Sequence, residues 1–163
     1  MPPYLDKIVG RPELSDRARA WRARGDTIVL ANGCFDVLHA GHVRYLRAAA
    51  QLADRLVVAV NADLSTRQLK GPGRPILPEQ ARAELVAALA GVAAVTIFPE
   101  LTVEPLLRAL RPDIHAKGTD YTPESVPEAA LARELKVAIH IVGDPKHHAT
   151  RDLFARIRAE RRY

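Results

Sequence analysis

Five short apolar runs separated by longer segments of helical spacing constrain this chain more than any other feature. TIVLAN (27–32), RLVVAV (55–60), AVTIF (94–98), DIHAK (113–117) and VAIHIV (137–142) have the length and β-branched content of buried strands. Between them, apolar residues recur on one helical face: Val43, Leu46, Ala50 and Ala53; Leu85, Val86 and Leu89; Val103, Leu106, Leu107 and Leu110. Strands alternating with helices predict an α/β fold, a parallel five-stranded sheet covered on both faces. Punctuation agrees with this reading. Gly25 and Gly91 follow helical stretches as C′ residues, whereas Pro78, Pro105 and Pro127 sit near helix starts. An earlier helix through Leu14, Ala18 and Trp21 is expected to pack outside the sheet, which makes residues 1–26 a helical lead-in to a single domain of 1–163.

At 163 residues the chain is long enough to bury one core without staples. A single cysteine, Cys34, excludes an intramolecular disulfide. With neither a secretory leader nor a membrane-length apolar run, a cytoplasmic location is the expectation. A net charge of +5 points to anionic partners without choosing among them. Aromatic residues make up only 5% of the chain, and no nucleic-acid motif is evident, so specific nucleic-acid binding is not expected. The arginines of RDLFARIRAERRY (151–163) read as the solvated flank of a helix whose Leu153, Phe154 and Ile157 share the apolar face.

In open parallel sheets ligands bind beyond the carboxyl ends of the strands, so the loops that follow each strand are where chemistry is sought. After the first strand comes NGCFDVLHAGHVRYL (32–46). HAGH is placed to open a helix, where unpaired backbone N–H groups and the positive end of the dipole suit a phosphate, and Gly41 permits close approach. His39 and His42, three apart, can address one anion together. Two rival readings use the same residues: a metal site from Cys34, Asp36, His39 and His42, or a Cys34 nucleophile with a histidine base. The metal reading lacks ligands from a second segment, and Cys34 suits a small buried position equally well. His115 and His140, each inside an apolar strand, read as structural. LKGPGRPILP (69–78) is read as a loop that carries Lys70 and Arg74 toward phosphates. Lys117, Gly118, Asp120 and Tyr121 follow the fourth strand and belong at the same edge. Arg82, by its helical position alone, reads as a surface residue.

NGCFDVLHAGHVRYL, then VNAD (60–63), LKGPGRPI (69–76), the helix with Arg82 and Glu84, and RPDIHAKGTDY (111–121) occur in an order that resembles the nucleotidyltransferases of the cytidylyltransferase-like superfamily, with their HxGH signature. The chain looks most like the heptose-1-phosphate adenylyltransferase domain of bacterial ADP-heptose synthesis, without the sugar-kinase domain fused to some relatives. The resemblance covers residues 27–121 well and the remainder loosely. It implies a Rossmann-like fold, a homodimer, and transfer of AMP from ATP with Mg²⁺ to a sugar 1-phosphate, releasing pyrophosphate. It further implies roles for particular residues. His39, His42 and Lys70 would be catalytic. Gly33, Cys34, Phe35, Gly41, His42, Lys117, Gly118, Asp120, Thr150 and Arg151 would contact the nucleotide, and Asp36, Asn61, Lys70, Arg74, Arg82 and Tyr121 the acceptor.

The chain departs from these relatives at FPELTVEP (98–105), where they are more acidic, and at HHATRDLF (147–154). There a Ser-Thr-Thr type run is reduced to Thr150, with Arg151 in place of another hydroxyl. Two further functions remain open: a cytidylyltransferase acting on glycerol 3-phosphate or a similar alcohol phosphate, and a nucleotide-binding regulatory module without turnover.

Overall fold

The computed structural model describes residues 2–144, 155 and 157. A 3-10 turn (Leu5–Lys7) and helix α1 (Arg11–Ala23) lead into β1 (Ile28–Gly33), α2 (Ala40–Ala50) and β2 (Arg55–Asn61). Helices α3 (Asp63–Lys70) and α4 (Glu79–Ala87) follow, then β3 (Val92–Phe98), α5 (Glu104–Leu110), β4 (Ile114–Lys117), α6 (Ala129–Leu135) and β5 (Ala138–Ile141). All five strands are parallel, in the order β3-β2-β1-β4-β5. The parallel α/β sheet expected from the alternation, and the Rossmann-like fold that the resemblance implies, are the ones observed.

Period-two alternation in β1 and β2 sends successive side chains to opposite faces, and both faces are apolar. Ile28, Leu30, Val57 and Ala59 join α1, α5 and α6 in one core, where Leu14, Trp21, Leu106, Leu107 and Leu110 pack. Val29, Ala31, Leu56, Val58 and Val60 join α2 and α4 in the other, with Leu46, Ala49, Ala83 and Val86. Such two-sided burial is why these strands read as continuous apolar runs. Gly25 and Gly91 do take the left-handed conformation after α1 and before β3 (φ +86° and +87°). Arg111 and Lys136 take it as well, as helix C-caps without glycine.

Three expectations need correction. The second strand is followed at once by α3, so Lys70 is the last residue of a helix rather than part of a loop. The short span, eight residues with Ser65 and Thr66 as its buried pair, carries too weak an apolar stripe for periodicity to reveal it. In α4 the buried residues are Arg82, Ala83, Val86 and Ala87, while Leu85 is exposed; the apolar face is rotated from the expected one because it is built from alanines. His140 lies exposed on the sheet's edge strand β5, rather than within a buried strand. Of the C-terminal segment, Leu153 and Phe154 lie outside the described residues, and Ile157 is helical but half exposed.

Truncating Leu107, fully buried against both α1 and the sheet, to alanine should cost about 2–5 kcal/mol in urea denaturation. Leu85→Ala, on the exposed side of α4, should stay within about 0.5 kcal/mol of the parent.

Candidate active site

Strand order reverses at β1: β2 and β3 extend to one side, β4 and β5 to the other. The connections leaving β1 and β4 therefore diverge, opening a crevice at their carboxyl ends. The loop after β1 delivers HAGH there, as expected, with His39 as N-cap of α2 and His42 in its first turn. The two imidazoles cap the helix reciprocally. His39 Nδ1 accepts the Gly41 N–H at 3.1 Å, and His42 Nδ1 accepts the His39 N–H at 3.4 Å. Because each Nδ1 is an acceptor, each neutral ring carries its proton on Nε2. The rings stack at 3.8 Å between centroids with 25° between planes, so the two Nε2–H donors form a matched pair. One backbone donor assigned to the ligand is thus already taken, since the Gly41 N–H serves His39; the donors on offer are the imidazoles.

Phe35 lies beneath this pair, its ring 5.4 Å from that of His42 and edge-on to it. Its side chain is buried and buttresses His42, so a nucleotide contact from its ring is not what the structure offers. A Cβ at Gly33 would come within 3.2 Å of the Phe35 ring, which explains the glycine there. The intervening backbone is contorted: Phe35 and Val37 both have positive φ (50° and 57°). Such strain persists only where the surroundings over-determine it. Asp36, buried between them, accepts the N–H groups of Ile76 and Leu77 on Oδ1 at 2.9 and 3.1 Å and pairs through Oδ2 with Arg74 Nε at 2.7 Å. This is the loop-organising role, and the same contacts place Arg74 against Asp36.

Arg82 is the largest correction. Instead of lying on the surface it is fully buried, and its guanidinium donates to the carbonyls of Leu77, Cys34 and Asn61 and to Asp63 Oδ1 at 2.5–3.0 Å. It ties the ends of β1 and β2 to the 71–78 loop. Helical periodicity could not reveal this, because the partners are carbonyls of distant loops. Asn61 is likewise buried, its amide donating to Ser65 Oγ at 3.3 Å. Lys70 is exposed at the start of the Gly71–Gly73 segment.

On the other side of the crevice, His115 and Lys117 alternate along β4 and so share a face. Asn32 Oδ1 lies 3.1 Å from His115 Nε2 and 3.3 Å from Lys117 Nζ. Lys117 also faces Glu128 at 3.5 Å and the Tyr121 ring at 4.8 Å. Burial lowers the Lys117 pKa, opposed by Glu128, and burial raises that of Tyr121. Tyr45, half-buried beside the same cluster, donates to the Ala116 carbonyl at 2.8 Å, and desolvation of its hydroxyl raises the phenol. A Cβ at Gly118 would meet nothing, leaving open space at the strand end, and Asp120 is exposed. Asn32, His115 and Glu128 were not singled out as site residues; the two-residue spacing of His115 and Lys117 was the available signal. Thr150 and Arg151 lie outside the described residues.

His115 is pushed down from 6.5 to about 3, chiefly by burial and then by the Lys117 charge. Below pH 6.5 the unfolded chain takes up a proton that the native chain refuses until about pH 3. Native stability should therefore fall as pH drops through that window, by up to ~1.4 kcal/mol per pH unit from this residue. Denaturation of the parent and His115→Leu across the window should show a shallower pH dependence in the variant.

Comparison with known proteins agrees with this geometry. The cytidylyltransferase-like family model matches residues 30–156. The bifunctional protein HldE of Methylobacillus flagellatus is 51% identical over 121 residues, which is 74% of this chain and 25% of that protein. HldE of Syntrophotalea carbinolica is 44% identical over 154 residues, 94% of this chain and 31% of that one. The chain thus spans about a quarter to a third of the length of these relatives. The crystal structure of the lipopolysaccharide core biosynthesis protein from Thermoplasma volcanium superposes with a TM-score of 0.64 at 30% identity, covering 75% of this chain and all of that one. With the signature loop, the strand order and the sequence match all in agreement, the chain belongs to the cytidylyltransferase-like family.

Proposed function

We propose that the protein is an adenylyltransferase that moves AMP from ATP to D-glycero-β-D-manno-heptose 1-phosphate, giving ADP-heptose and pyrophosphate. The observation that carries this reading is the stacked His39–His42 pair, both imidazoles set by the reciprocal helix cap at the switch point of the sheet. Kinship with HldE and likeness to a lipopolysaccharide core biosynthesis protein favour this acceptor over others.

A phosphate oxygen of the acceptor attacks the α-phosphorus in line, the new P–O bond forming as the bond to the β-phosphate oxygen breaks. The acceptor oxygen is already anionic, so no general base is required. Catalysis is alignment and charge stabilisation, with His39 and His42 donating to the α-phosphoryl oxygens as charge shifts. Lys70 neutralises the leaving pyrophosphate. Arg74, at the same loop, serves the acceptor phosphate, while Asp36, Asn61 and Arg82 hold the loops that surround it. Lys117, Gly118, Asp120, Thr150 and Arg151 serve the nucleotide, with Gly33, Cys34 and Gly41 supplying the backbone it approaches, and Tyr121 lies toward the acceptor.

Both Asp36 oxygens are engaged, and among the described residues no group of three or more His, Cys, Asp or Glu is placed to hold a metal ion. Mg²⁺ is read as part of the substrate, carried on the phosphates of ATP. Among the described residues no helix is long and apolar enough to cross a membrane. We place the enzyme in the cytoplasm as a homodimer.

Pyrophosphate release measured with each nucleoside triphosphate against heptose 1-phosphate and glycerol 3-phosphate tests the assignment. Turnover with ATP and the heptose is expected; dependence on CTP would instead support a cytidylyltransferase, and nucleotide binding without turnover a regulatory module. His42→Ala should lower kcat by ~10²–10³-fold while leaving the protein folded by circular dichroism, the loss typical of one removed oxyanion donor. Lys70→Ala, at an exposed helix end, should lower turnover without changing thermal stability.

A further inference from the structure

We infer that Asn32 is a ligand-contacting residue, donating its side-chain N–H to a phosphate oxygen of the bound nucleotide, and that His115 and Lys117 together fix its orientation. The inference deepens the proposed nucleotidyl transfer and rests on that reading for the identity of the ligand.

The argument begins with the amide. Lys117 Nζ can only donate, so the Asn32 atom 3.3 Å from it is an oxygen, and the amide cannot be turned the other way without setting two donors against each other. The same oxygen lies 3.1 Å from His115 Nε2, which must therefore carry the ring proton. His115 Nδ1 is left as a bare acceptor, buried with no hydrogen-bond partner among the described residues. Two donors from β4 thus hold the carbonyl end of Asn32. Its NH₂ group has no acceptor among the described residues. Unlike His115 Nδ1, it is not sealed from solvent.

A side chain pinned at one end by a buried network and left with an unused donor at the other is a preorganised contact. Asn32 stands near the end of β1, beside β4, where the strand order reverses, and its chain runs directly into the loop that carries His39 and His42. The ammonium on its oxygen polarises the amide and makes the N–H a stronger donor, which suits an anionic acceptor rather than a hydroxyl. Glu128 holds the ammonium in place from the far side.

Asn32→Asp separates the roles. The carboxylate keeps, and strengthens, the acceptor for His115 and Lys117, so melting temperature should be at least that of the parent, but the donor is gone. Calorimetric titration with MgATP in 0.5 M salt, which screens long-range repulsion, should show roughly ten- to a hundredfold weaker binding, the effect of one charged hydrogen bond. His115→Leu, which removes one of the two donors holding the amide oxygen, should weaken MgATP binding by about threefold in the parent and not at all in the Asn32→Asp background, since a carboxylate has no orientation to fix. Unchanged affinity in Asn32→Asp, or equal effects of His115→Leu in both backgrounds, would overturn the inference. Binding is read apart from turnover: a parent that binds MgATP yet releases no pyrophosphate would refute the proposed reaction and leave the Asn32 result standing. A parent that binds no MgATP would overturn both.

Discussion

The reversal of strand order at β1 is the constraint on which everything else hangs. A parallel sheet wound in one direction only would send all its connections to one side and leave no cleft at its edge. Here β1 is flanked by β2 and β4, so the loop after it must turn toward one neighbour while the chain after β4 turns toward the other. The gap between them is a product of topology, and the two buried cores make the edges of that gap rigid. Histidines after β1 and a lysine-centred polar cluster on β4 then stand at the carboxyl edge of two neighbouring strands, where such a crevice forms.

Rigid walls do not by themselves hold loops in unfavourable backbone conformations. Two left-handed non-glycine residues in four positions after β1 require compensation, and it comes from a pair of buried charged side chains working from opposite directions. Asp36 gathers the 74–77 backbone from inside the strained loop, and Arg82 gathers carbonyls from three segments behind it. Removing either would strand several polar groups away from water, which is far more disruptive than losing one contact. These residues lie near the phosphate chemistry, but what they touch in this structure is the protein itself.

Much of this architecture could be read in advance, and the reasons are local. All five strands were legible, β1, β2 and β3 because two-sided burial writes a long apolar run into the chain and β4 and β5 from their short length and apolar content. HAGH was legible because a glycine and two imidazoles at a strand-to-helix junction are a poor choice for packing. Helix α3 was not, since its buried positions hold Ser65 and Thr66 rather than large apolar residues, and missing it turned Lys70 into a loop residue. Arg82 was misplaced because most of its partners are backbone groups brought close by tertiary structure, and a carbonyl leaves no mark on sequence pattern. Asn32 escaped notice for the same reason: its significance lies in which end of the amide is already occupied.

The reciprocal capping of α2 by its own two histidines carries one more consequence. Imidazole lone pairs are ordinarily open to stray transition-metal ions and electrophiles, and a neighbouring pair of them would be a ready chelator. In this loop both Nδ1 lone pairs are committed to backbone N–H groups, and both Nε2 atoms hold protons. A metal or an alkylating agent could claim Nδ1 only by unravelling the first turn of the helix. The segment that presents the pair is thereby its own protection against poisoning.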